Sequence, residues 1–158
     1  FPAFLEGQGG EKAVGQAAVD CAHVAWAWLQ SYHAAEAQPL TMEDIAGLRE
    51  PELLALEIAP HPSVRQVDLQ VSPMAQLPVQ CPDGAPPDEV KAILLLRPDS
   101  LVAMIGLDDE RRAVAVAAQN SSTMRNLFEQ AFEKIGEAKA LPHILALISA
   151  GMLVRVVA

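Results

Sequence analysis

Apolar positions form short continuous runs in the middle of the chain and recur at three- and four-residue steps beyond them. Residues 91–96, 101–107 and 112–118 are three apolar runs, separated by polar breaks at 97–100 and 108–111. Breaks of about four residues suit hairpins, whereas a parallel crossover needs roughly a dozen or more. The pattern predicts an antiparallel meander of three strands. Met124, Leu127, Phe128, Ala131, Phe132 and Ile135 then make one helical stripe, with Arg125, Asn126, Glu129, Gln130, Glu133 and Lys134 opposite. Ser121 or Ser122 is the expected cap of that helix and Gly136 its expected stop. In the run before it, Val114 and Val116 alternate with Ala113, Ala115 and Ala117. Read as a strand, this gives an alanine face against which the helix can lie close.

Towards the start, residues 11–37 contain no proline and read as a long helix after a glycine-bearing lead-in at 1–10. One apolar stripe is Val14, Ala17, Cys21, Val24 or Ala25, Trp28 and Tyr32; a second is Gly15, Val19, Ala22, Trp26, Leu29 and His33. Trp26 and Trp28 lie about 200° apart around a helix of 3.6 residues per turn, so they cannot share a face. A helix apolar on two sides must be covered on two sides. The expectation is that it threads the middle of the domain, the other arrangement being a partner over the second stripe. Val19, Ala22, Trp26 and Leu29 are the candidate partner contacts.

Thr41 and Asp44 have the spacing of a helix start, and a short helix follows to Arg49. Leu54, Leu56 and Ile58 alternate, so residues 53–59 read as a strand, joined through Pro60, His61, Pro62 and Ser63 to a cleaner alternation at 65–71. Residues 72–88 carry Pro73, Pro78, Pro82, Pro86 and Pro87 and read as connecting loop, because proline cannot donate to a ladder. A last helix is expected at 141–150 with Pro142 in its first turn, stopped by Gly151 before a final strand at 152–158. The fold predicted is α+β: one domain over 1–158, a mostly antiparallel sheet of five or six strands, and a long N-terminal helix and two C-terminal helices packed on one face.

Composition narrows the function classes. Hydrophobic residues are 51% and charged ones 20%, which is globular, and 158 residues can bury about 68–70% of their unfolded surface. Acidic residues outnumber basic ones 20 to 11, for a net charge of −9. That balance speaks against nucleic acid and anionic membranes, which need basic patches. The apolar stretch 140–158 is interrupted by Pro142, His143, Gly151 and Arg155, so a buried helix and strand are expected there, with no membrane insertion. Cys21 and Cys81 are too few for a disulfide scaffold; reduced thiols and a cytoplasmic setting are the default. The chain begins at Phe1, so the expectation is an excised piece of a longer protein.

Reactive constellations are hard to find. His23, His33, His61 and His143 show no metal-ligand spacing, and neither a metal nor a cofactor is expected. Asp20 and His23 are one helical turn apart, which suits a surface hydrogen bond. Cys81 in the proline-rich loop and His61 in a turn are the residues a small enzyme or ligand pocket would draw on. Residues 108–110 read as a solvated hairpin tip rather than a cation site, and Ser121, Ser122 and Thr123 as a cap rather than an anion seat. The reading is a non-enzymatic interaction or scaffold module, working as a homodimer or within a larger assembly. An acidic adaptor or secretion chaperone has this composition. The alternative is a small enzyme or small-molecule-binding domain with a pocket between sheet and helices.

Overall fold

The computed structural model describes residues 15–71 and 89–156. The expected lead-in at 1–10 and the proline-rich loop at 72–88, Cys81 included, lie outside the described residues. The elements in order are α1 (Gln16–Tyr32), α2 (Met42–Ala46), α3 (Glu50–Ala55), β1 (Ile58–Pro60), β2 (Arg65–Asp68), β3 (Ala92–Leu96) and β4 (Ala103–Leu107). They continue with α4 (Asp109–Asn120), α5 (Met124–Ile135), α6 (Glu137–Ser149) and β5 (Leu153–Arg155). The fold is α+β with antiparallel pairing, as the pattern predicts. Among the described residues, the predicted sheet of five or six strands is replaced by two small ones, a three-stranded β2-β3-β4 and a two-stranded β1-β5.

The central meander exists, shifted by one element. Leu94 pairs with Gln66 on one side and Ile105 on the other, so β2, β3 and β4 are its strands. Residues 112–118, expected to be the third strand, lie in helix α4 instead. Asp108 is the reason: its carboxylate accepts from the Arg111 amide at 2.8 Å and its side chain pairs with the Arg111 guanidinium. A capping aspartate, two acids in the first turn and an alanine-rich body all favour helix. What looked like a hairpin tip is therefore a helix start. Val114, Ala115, Ala117 and Ala118 are buried, and the alanine face receives α5, helix against helix.

Strand β3 is buried at every position, which explains its unbroken apolar run. Ile93 and Leu95 face α1, where Val24 and Ala27 pack with Val67, Leu69, Val102 and Met104. Ala92, Leu94 and Leu96 face the larger core, built from α4, α5, α6, β1 and β5. Helices thus cover both faces of the three-stranded sheet, and the expected one-sided arrangement is corrected. Aliphatic side chains at alternate positions of one strand must be sealed on two sides, and one layer of helices cannot do that.

Other boundaries move for local reasons. Residues 50–55 form α3, which takes the first three residues of the strand expected at 53–59: Pro51 opens it and the Glu52 carboxylate accepts from the Arg49 amide at 3.0 Å. β1 then pairs with β5, so the turn at 60–63 joins two sheets and makes no hairpin. The Thr41–Asp44 start is present as a full capping box, and the Thr41 hydroxyl holds the Asp44 carboxyl below its usual range. Helix α5 is capped by Thr123 rather than by Ser121 or Ser122, its hydroxyl accepting from the Asn126 amide at 3.2 Å. Gly136 ends α5 at φ +82°, as expected, and α6 begins immediately. That start places Pro142 in the interior of α6, not in its first turn. Gly151 takes φ +78°, and a Cβ there would lie 2.6 Å from the Pro98 Cβ. No helix among the described residues is long and apolar enough to cross a membrane.

Candidate functional site

Among the described residues, helix α1 lies on the outside, which corrects the expectation that it threads the centre. Its core-facing side takes part of each stripe read from the sequence, Val24 from the first and Val19 and Ala22 from the second, and adds Asp20, Ala27 and Ser31, all buried. The four candidate contacts divide. Val19 and Ala22 are buried, while Trp26 is 49% and Leu29 45% exposed. From the other stripe, Trp28 and Tyr32 are 36% and 48% exposed and stack with ring centroids 5.3 Å apart. Tyr32 also meets the His33 ring edge-on at 5.1 Å.

The outer face has an electrostatic peculiarity. Asp20 is the only Asp, Glu, Lys or Arg in α1, and it is 1% exposed. Its carboxylate accepts from the Gln70 and Val71 amides at 2.9 and 2.8 Å and from the Gln16 side-chain amide. The expected surface pairing with His23 therefore gives way to a buried bond that ties the exit of β2 to the helix. The exposed residues of α1 include no Asp, Glu, Lys or Arg: they are Gln16, Ala18, Ala25, Trp26, Trp28, Leu29, Gln30 and Tyr32, with His23 half-buried beside them.

His61 has a structural role. The ring is 2% exposed and both nitrogens are taken. The Ala37 carbonyl, 3.0 Å from Nε2, can only accept, so Nε2 carries the proton. Nδ1 then accepts from the Ser63 hydroxyl at 2.8 Å and the Ser63 amide at 3.2 Å. The Arg97 amide donates to the same hydroxyl at 2.7 Å. This network ties the turn at 60–63 to the end of β3 and to the loop after α1. The Arg97 guanidinium supports it by donating to the carbonyls of Ala34 and Asp99. A general base needs a nitrogen to offer, and His61 has both committed. Cys81, its proposed companion, lies outside the described residues.

A separate cavity of about 260 Å³ opens between β4, the start of α4 and helix α6, lined by Ile105, Leu107, Arg111, Pro142, His143, Ala146, Leu147 and Ala150. Sequence reasoning drew the residues of a pocket between sheet and helices from His61 and Cys81 and singled out none of these as its lining: β4, α4 and α6 meet only in the tertiary structure, and none of these residues carries a motif. Among the described residues, no three His, Cys, Asp or Glu side chains come together as a metal site would require. Comparison with known proteins finds no family model, no curated protein and no solved structure that this chain matches. The functional reading therefore rests on the geometry of these two places.

Proposed function

We propose that the protein is a non-enzymatic interaction module that associates with a second copy of itself through the outer face of α1. The observation that carries this is the charge-free exposed surface of α1, on which Trp26, Trp28, Leu29 and Tyr32 stand, in a chain of net charge −9. Interface centres are depleted in charge and enriched in Trp and Tyr, and aromatic anchors contribute most of the association energy. A charged partner would find nothing on this face to pair with. Two acidic copies, by contrast, repel one another except where charge is missing, and an identical neutral face satisfies a two-fold interface. Ala18 and Ala25 let a second helix approach closely, with the indole rings filling the space beside them. The helix is about 26 Å long, enough for a seam of several turns.

Light scattering and sedimentation equilibrium over a range of concentrations test the reading, with the double variant Trp28→Glu, Tyr32→Glu as control. Both side chains are largely outside the core, so circular dichroism of the variant should match the parent. The expected result is a concentration-dependent dimer that the variant loses. A parent chain that stays monomeric to several hundred micromolar, or a variant that dimerises equally well, overturns it.

A further inference from the structure

We propose that the cavity between β4, α4 and α6 is a binding site for a small, uncharged, mostly apolar molecule of about ten non-hydrogen atoms. It lies against the face of the sheet opposite α1 and does not depend on the self-association reading. Size sets the first limit. A 150 Å³ apolar cavity accommodates benzene, so 260 Å³ in proportion holds about ten non-hydrogen atoms. That is the scale of a substituted benzene or an indole, and too small for a nucleotide or a sugar phosphate.

The walls set the second. Ile105 and Leu107 form the sheet side, Leu147 the floor on α6, and Pro142, Ala146 and Ala150 the rest of the helical wall. Only Arg111 and His143 bring polar atoms. Pockets of this kind are mostly apolar with a few polar groups at one end that orient the ligand.

Charge sets the third limit, and it excludes both kinds of ion. Arg111 pairs with Asp108, and His143 Nε2 stands 3.9 Å from Glu110 Oε2, whose other oxygen takes Lys139 at 2.5 Å. An anion would have to compete with Asp108 for the Arg111 guanidinium paired to it, and would meet the Glu110 carboxylate beside His143. A cation would have to enter between groups whose negative charge is already shared, and would lose its hydration to an apolar wall. An uncharged molecule with one hydroxyl or carbonyl oxygen, accepting from the Arg111 end beside His143, meets neither penalty.

Benzyl alcohol, benzoate and benzylamine share a ring and differ in charge, so they isolate the proposal. Ligand-observed NMR titrations at neutral pH should show benzyl alcohol binding at least tenfold more tightly than either ion. In methyl-labelled protein, its shifts should concentrate on Ile105, Leu107 and Leu147. Ala150→Leu, which fills the wall from a half-buried position, should weaken binding at least tenfold, while Trp28→Glu on the opposite layer should leave it unchanged. The methyl map uses the unaltered chain and decides the matter if Ala150→Leu fails to fold. No binding of benzyl alcohol at millimolar concentration, equal or tighter binding of benzoate or benzylamine, or shifts confined to the α1 face would overturn the assignment.

Discussion

The Asp68 carboxylate meets the Arg112 guanidinium in two parallel hydrogen bonds of 2.8 Å each, linking β2 to α4. Arg112 holds the Asp68 carboxyl below its usual range, chiefly through that hydrogen bond, and Asp68 raises the guanidinium in turn. A carboxylate with a depressed folded-state pKa adds stability above its unfolded value, near about 3.9, and loses it as pH falls through the folded one. Both side chains are roughly half exposed, 51% and 41%, so the contribution at neutral pH is at most about 1 kcal/mol. Asp68→Asn should therefore be less stable than the parent at pH 7, and urea midpoints of the two should converge as pH drops below about 4. The Ser63 hydroxyl presents a different case. It is 0% exposed and stands between the Arg97 amide and His61 Nδ1. Ser63→Ala would leave the Arg97 amide buried without a partner, so it should cost about 1–3 kcal/mol in chemical denaturation. Sedimentation should show the proposed self-association unchanged, because the network supports the turn and not the α1 face.

Helix α4 is the element in which local and tertiary evidence part. As a strand, residues 112–118 would set Val114 and Val116 on one face and give them one fate. As a helix it separates them: Val114 is 0% exposed and Val116 41%. Val116→Glu should change stability by no more than about 0.5 kcal/mol. Val114→Glu buries an uncompensated charge and should cost at least about 3 kcal/mol, or prevent folding. Equal effects of the two substitutions in thermal unfolding would restore the strand. The stripe of α5, the Thr41 box and the Gly136 stop were legible because each is written within one or two turns of chain. Val114 and Val116 misled because a valine–alanine alternation fits both periods over a short window. What separates them is the Asp108 cap and the packing of Ala115 and Ala118 beneath α5.

For the whole molecule, the proposed self-association has to work against a net charge of −9 on each copy. If the contact is the uncharged face of α1, no ion pair holds it, and the remaining charge only opposes it. Raising salt to about 0.5 M shortens the screening length to a few ångströms and should strengthen the dimer. A contact built on salt bridges would weaken under the same change, so the sign of the salt effect in sedimentation identifies which surface is used. The cavity behind β4 belongs to this scale too. Its walls come from residues 105 to 150, and no window of sequence contains them together.

What the amino-acid order determined by itself was the stock of elements: antiparallel strands rich in Leu and Ile, a strongly amphipathic α5, capped short helices, and a first helix with too many apolar sides for one core. These follow from side-chain period and from caps a few residues away, which act before any distant contact forms. The tertiary structure alone decided which side of α1 is core. Val24 and Ala27 are small enough to seat the helix on Ile93 and Leu95, and Asp20 finds the amides of Gln70 and Val71 there. With that side turned inward, both tryptophans are left facing water. A helix has one rotation about its axis, and the sheet beneath it sets that rotation.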